Sequence, residues 1–269
     1  MWGLAIWNRP HVETLDPDEQ AFRPFVGGGL APGLTVRTLS QDASDGATSA
    51  LVRVPAGWHQ TEPLVWAVDV EFYLLEGDLT IGETRFGPHW YSYRPAGVVN
   101  APARSEQGAL LIVFTSGWLT PGGARPREDA ILALDTTMVP WGKPMTDKRD
   151  SPLLSKTLRL NPVTGERVFL NRLDQPGGDP RIEWHPCVEE LYQISGVTSM
   201  DSPRDRFVLR PGVYCYRPPG IPHGPFRAEG NVLTLVRVSA TLVNFYVSPA
   251  EAEAMLRAYG PGLDPRMRP

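Results

Sequence analysis

Short runs of Val, Leu, Ile, Tyr and Phe, each closed by glycine or proline, recur along this chain. Leu34–Leu39 is one such run, and Ala50–Val54, closed by Pro55-Ala56-Gly57, is the next. Glu71–Gly82 reads as strand, tight turn and strand, followed by Tyr91–Arg94 before Pro95-Ala96-Gly97 and by Ala109–Phe114. Apolar runs of this length bounded by turn residues predict β-strands, and many of them at short intervals predict a barrel or sandwich. Residues 1–30 carry no clear period. There Asp16-Pro17-Asp18-Glu19 suggests a helix start and Gly27-Gly28-Gly29 a break. Residues 119–130, rich in Pro, Gly and charge, predict a linker.

The second half repeats the order of the first. Glu190–Gly196 answers Glu71–Gly77, Tyr214–Gly220 answers Tyr91–Gly97, and Val232–Val238 answers Ala109–Phe114, at an offset of about 120 residues. A long-period repeat of strand-rich sequence predicts two β-domains, placed at 1–125 and 126–269. One helix is predicted. Ser248, Pro249 and Glu251 form an N-cap, a first-turn proline and a back-capping glutamate. Ala252, Met255, Leu256 and Tyr259 then recur at helical spacing until Gly260.

Composition narrows the function. Of 269 residues, 28 are proline and 26 glycine, as turn-rich β-structure requires, and the formal net charge is −4. No basic stripe suggests nucleic acid. No apolar run approaches the roughly 20 residues of a membrane helix, and the first ten residues do not read as a secretory signal. Two cysteines, Cys187 and Cys215, are too few for a disulfide framework. A cytoplasmic protein, with neither nucleic acid nor membrane as partner, is the expectation.

The chemistry concentrates between Glu183 and His223. Two of the five histidines stand here, His185 and His223, with Glu183, Glu189 and Glu190. Imidazoles and carboxylates from two short strands suit a divalent first-row metal. Side chains alternate along a strand, so Glu183, His185 and Glu189, at even separations, share one face. Glu190 then points away, unless a bulge reverses the two glutamates.

These residues carry a resemblance. Counting back from Gly196, Glu189 and His185 occupy the glutamate and second-histidine positions of the first cupin motif, with Glu183 where the first histidine normally stands. Gly212, Pro218, Gly220 and His223 match the second motif, whose final Asn position holds Arg227. The chain therefore resembles a bicupin, near the ChrR-like cupins. That resemblance implies an all-β fold of two tandem jelly-roll barrels with a short C-terminal helix, one metal ion in the second barrel, and homodimerisation. Two histidines and a carboxylate favour Fe(II), while Mn, Ni and Zn also fit. Glu183 is either a fourth ligand or an acceptor that orients His185.

In the first barrel the corresponding positions hold Trp66, Val70 and Asn100, so the ligands are lost there. That barrel is then a structural partner, a dimerisation surface or a vestigial ligand pocket. His59 and His89 read as surface or structural residues. Tyr214, Tyr216 and Arg217, with counterparts Tyr91, Tyr93 and Arg94, occur in both halves and so suggest packing roles, the arginine capping the turn. Cys187 reads as an inert buried thiol, and Trp184 and Tyr192 as barrel walls. The resemblance implies a metal-dependent enzyme acting on a small organic molecule, with a non-haem Fe(II) dioxygenase foremost. A redox-neutral isomerase or lyase is the alternative, with Glu190, Tyr192 or Tyr216 as acid or base. A non-catalytic ligand-binding or sensor cupin is the third reading.

Overall fold

The computed structural model describes residues 9–17, 19–201 and 206–259. Chain contacts divide into two compact units, one built from Gln20–Val139 and the other from the residues to either side of it. In the first, an antiparallel sheet runs in the order Ile131–Asp135, Trp90–Arg94, Val70–Gly77, Ala109–Thr115, Thr48–Val54, Thr35–Gln41 and Arg23–Pro24. A smaller sheet of His59–Gln60, Ala103–Arg104, Leu79–Ile81 and Thr84–Phe86 supplies Leu79 and Phe86 to a core shared with Phe72, Leu74 and Leu111.

The second unit has the same plan. Its large sheet runs Val12–Leu15, Tyr214–Arg217, Glu189–Ser195, Val232–Val238, Arg167–Leu173 and Leu154–Leu160. Its smaller sheet runs Gly177–Asp179, Phe226–Ala228, Thr198–Asp201 and Arg206–Leu209. Leu191, Cys215 and Val236 lie across from one another in register and pack with Met200 and Leu209 in the core. Alternation sends their neighbours Tyr192, Tyr214 and Leu235 to the other face, where they too are buried.

The edge strands depart from the expected boundary at 125/126. Val12, Thr35, Thr48 and Val70 each begin a strand 119 residues before Ile131, Leu154, Arg167 and Glu189, so Val12–Leu15 and Ile131–Asp135 are equivalent openings of the two repeats. Yet Val12–Leu15 pairs with Tyr214–Arg217 of the second repeat, and Ile131–Asp135 pairs with Trp90–Arg94 of the first. Each unit takes in the strand that opens the other repeat. The four-residue strand at 12–15 has too little apolar alternation to be read from sequence.

The C-terminal helix is Pro249–Tyr259. Its start is the expected capping box: Glu251 N–H donates to Ser248 Oγ at 3.3 Å, and Ser248 N–H donates to Glu251 Oε2 at 2.8 Å. Ala252 and Leu256 are buried and Met255 half-buried, but Tyr259 is exposed, so the apolar stripe stops one turn early. Gly260, the expected stop, lies outside the described residues, as does Asp18. The rest of the expected helix start near Asp16 is a turn, in which Glu19 N–H donates to Asp16 O at 3.1 Å. Among the described residues no helix is long and apolar enough to cross a membrane.

Candidate metal centre

Four side chains converge in the second unit. Glu183 sits in the short strand Ile182–Trp184, held against Phe245–Val247, where Trp184 stacks on Phe245 with ring centroids 4.7 Å apart. Past that strand the chain carries His185, whose carbonyl accepts Gly220 N–H at 2.8 Å. That bond ties the first-motif segment to the turn that delivers His223. Glu189 opens the central strand opposite Arg217. Glu183, His185 and His223 are all buried, and each brings a ligand atom within 4.8 Å of the others.

The histidines are oriented by the backbone. His185 Nδ1 lies 3.1 Å from Val243 O, and His223 Nδ1 lies 3.1 Å from Ile221 O. A carbonyl can only accept, so Nδ1–H donates in both, the orientation that leaves each Nε2 to serve as a ligand atom. Both Nε2 atoms turn toward carboxylates. His223 Nε2 is 3.4 Å from Glu189 Oε2 and 3.8 Å from Glu183 Oε1, while His185 Nε2 is 3.9 Å from Glu189 Oε1. Bonds of about 2.0–2.2 Å to one ion separate neighbouring ligand atoms by roughly 3–3.5 Å. The cluster is close to that spacing and too open for strong hydrogen bonds.

Cations hold the carboxylates. Arg217 Nη1 donates to Glu189 Oε2 at 3.1 Å, with Glu13 Oε1 3.7 Å from its Nη2. Lys148 Nζ donates to Glu183 Oε1 at 2.5 Å and lies 3.8 Å from Asp179 Oδ2. Burial alone would raise the Glu189 pKa, but His185, His223, Arg217 and Lys148 outweigh it and hold it at about 2. Burial, with Arg217 adding to it, pushes His223 well below the usual imidazole range. Glu183 Oε2 is buried with no hydrogen-bond partner. An orphaned carboxylate oxygen beside two imidazole Nε2 atoms fits a divalent cation.

Alternation places the other expected site residues elsewhere. Glu190 and Tyr192 are on the opposite face of the strand from Glu189, and Tyr216 pairs across from Glu190. Glu190 accepts from Tyr214 Oη at 2.6 Å and from Arg237 at 2.9 Å, with Arg9 at 3.6 Å. Burial and Glu190 push the Tyr216 hydroxyl upward, and the Arg9 guanidinium lies over its ring. Glu190 and Tyr216 thus lie in a buried network, and Tyr192 is buried on that same face, so the acid–base role expected of the three would have to be exercised away from the Glu189 face. Arg217, expected as a turn cap, instead grips Glu189. Sequence reasoning passed over Lys148, Glu13 and Arg9. Lys148 stands in the hydrophilic run Asp147–Asp150, and the other two precede the site by about 200 residues, so no local signal marked them.

The remaining residues are quickly placed. Cys187 is buried, and burial with Glu189 nearby raises its thiol to about 12. His59 is exposed, and His89 Nδ1 lies 2.8 Å from Tyr73 Oη, a structural contact. In the first unit, Trp66 Nε1 donates to Gly28 O at 2.7 Å, Asn100 Oδ1 accepts from Arg94 at 3.3 Å, and Val70 is buried.

The family described as a domain of unknown function, DUF4437, matches residues 14–245. The chain belongs to that family. Comparison with curated proteins gives no match. Among solved structures, a presumptive dioxygenase from Nostoc punctiforme aligns with a TM-score of 0.77 at 20% identity, over 91% of this chain and 93% of that one. Oxalate decarboxylase from Bacillus subtilis aligns at 0.55 and 16% identity, over 93% and 83%. Salicylate 1,2-dioxygenase from Pseudaminobacter salicylatoxidans aligns at 0.57 and 11% identity, over 74% of each chain. At these identities the likeness shows the fold alone, and the DUF4437 chain has the cupin jelly-roll fold.

Proposed function

We propose that this DUF4437 protein is a metal-dependent cupin enzyme that acts on a small organic molecule, with a non-haem Fe(II) dioxygenase as its class. The observation that carries this is the convergence of two backbone-oriented imidazoles with Glu189 and the orphaned oxygen of Glu183. Two histidines and a carboxylate are the donor set of non-haem iron oxygenases. Iron held there would supply Lewis acidity and the redox couple of dioxygen chemistry. The fold neighbours named dioxygenases agree with this choice without fixing it.

The chain's own residues do the rest. The Val243 and Ile221 carbonyls fix both rings, and Arg217 fixes Glu189. A cavity of about 50 Å³ adjoins the cluster, walled by Leu153, Phe169 and Leu242 and bordered by Thr146, Asn171 and Asn244. A water occupies about 30 Å³ of liquid, so the space suits a substrate of few atoms or one that displaces a wall. Lys148, on the cavity, offers an ammonium to a substrate carboxylate or enolate.

Lys148 and Glu183 also favour the second reading. An amine–carboxylate pair at 2.5 Å beside the centre is equipped to move a proton, as a redox-neutral isomerase or lyase requires. Oxygen dependence separates the two. Protein reconstituted anaerobically with Fe(II) is offered a panel of small hydroxy and keto acids, with product formation followed with and without O2. Turnover that consumes O2 in proportion to substrate supports the dioxygenase. Turnover that is indifferent to O2 moves the assignment to the redox-neutral class. Failure to retain any metal in the wild type, assayed elementally beside His223→Ala, overturns both.

A further inference from the structure

The first unit has Trp66, Val70 and Asn100 where the second has its candidate ligands, and its interior is open. A cavity of about 430 Å³ lies within it, inside the roughly 300–1,000 Å³ range of small-molecule pockets. Its wall is mostly apolar, with Trp58, Trp66, Phe72, Val52 and Val113 among the residues that line it. Val52 and Val113 are only partly buried although they sit on central strands, because their inward faces meet open space rather than side chains.

One charge faces this space. Arg94 lines the cavity, is 6% exposed, and donates to Ser92 Oγ, Asn100 Oδ1 and Leu132 O at 3.1–3.3 Å. Those bonds use three of its five N–H groups, and all three acceptors are neutral. Arg94 is the counterpart of Arg217, whose charge is matched by Glu189 and Glu13. In the first unit the Glu189 position holds Val70, so Arg94 faces no carboxylate there. Burial, with no anion to offset it, pushes the Arg94 pKa down to about 10. A buried guanidinium at the wall of an apolar chamber is complementary to an anion that brings its own apolar body.

We propose that the first barrel binds an apolar monocarboxylate, its carboxylate on Arg94 and its hydrocarbon or aromatic body among Trp58, Phe72 and Val113. The ligand supplies the negative charge that the second barrel builds in as Glu189. Nothing in this assignment depends on metal in the second barrel.

Isothermal titration with 2-naphthoate and octanoate, against neutral 2-naphthamide and octanol, tests it. The expected result is one carboxylate per chain, with the neutral analogues at least tenfold weaker. Arg94→Met should weaken the carboxylates at least tenfold and leave the neutral analogues unchanged. Val113→Trp should abolish binding by filling the chamber, and it carries the test alone if Arg94→Met does not fold, because it leaves every Arg94 bond in place. His223→Ala should leave binding within twofold of wild type. Absence of saturable binding, equal affinity for acids and neutral analogues, or a loss on His223→Ala with none on Val113→Trp would each overturn the assignment.

Discussion

Glu183 and His223 exchange both of their backbone hydrogen bonds, Glu183 N–H to His223 O at 2.9 Å and His223 N–H to Glu183 O at 2.8 Å. Directly paired residues of an antiparallel bridge present their side chains on the same face. The two candidate ligands lie 40 positions apart in the chain, so neither can shift along the site without breaking this pair.

That pairing makes Glu183 testable as a ligand. Glu183→Gln keeps the shape and removes the charge, and it should weaken metal binding by about 10–100-fold, the range seen when groups around a metal are altered. Lys148→Met should do the opposite, because the ammonium 2.5 Å from Glu183 Oε1 competes with a cation for that carboxylate. Chelator competition reads both. An unchanged affinity in Glu183→Gln would leave that residue with no part in holding the metal.

Glu190 lies next to Glu189 in sequence and serves a different purpose. It is 1% exposed and meets Tyr214, Arg237 and Arg9. Glu190→Ala should therefore cost about 3–5 kcal/mol of stability, the usual penalty for stripping one partner from a buried ion pair. Metal content should stay at the wild-type value. Urea unfolding and elemental analysis on the same sample separate the two effects, and lost metal with undiminished stability would reverse the roles of the two glutamates.

Both cysteines are buried, Cys187 at 3% and Cys215 at 0% exposure. The thiolate is the reactive form, and at a pKa of about 12 Cys187 holds almost none at neutral pH. Native protein at pH 8 should give no fast reaction with a thiol-specific disulfide reagent, and urea-unfolded protein should give two equivalents. A fast native equivalent would mean that the second barrel opens far more readily than its packing implies.

The helix cap carries a pH dependence. Hydrogen bonds from Ser248 hold the Glu251 carboxyl below its ordinary 4.5. A depressed folded-state pKa stabilises the helix above the unfolded value, and the contribution fades as pH falls through the lower, folded one. Ser248→Ala removes the cap at about 1 kcal/mol. Its difference from wild type in thermal unfolding should shrink between pH 6 and pH 3.

The parts legible in sequence were those set by local rules. Turn residues between short apolar runs marked the strands, the Ser248–Glu251 spacing marked the helix start, and strand alternation separated Glu189 from Glu190. Motif spacing brought Glu183, His185, Glu189 and His223 to one place. What escaped depended on contacts across the chain. Lys148 has the sequence surroundings of a solvated lysine, and only the fold turns it onto Glu183. The partners of Arg217 and Glu190 come in part from Arg9 and Glu13, which no periodicity near the motifs could reveal. Leu154–Leu160 and Arg167–Leu173 carry charges among their apolar positions, which blurred the alternation of two real strands.

The opening strands bear on how such a chain could have arisen. With its arm held out as it is here, a single copy of this repeat would leave its Tyr214–Arg217 edge bare. Two separate copies trading arms would each be complete. Fusing them end to end changes no strand pairing and only joins what was already exchanged, so with the arms extended as they are here every edge is met in a pair of repeats.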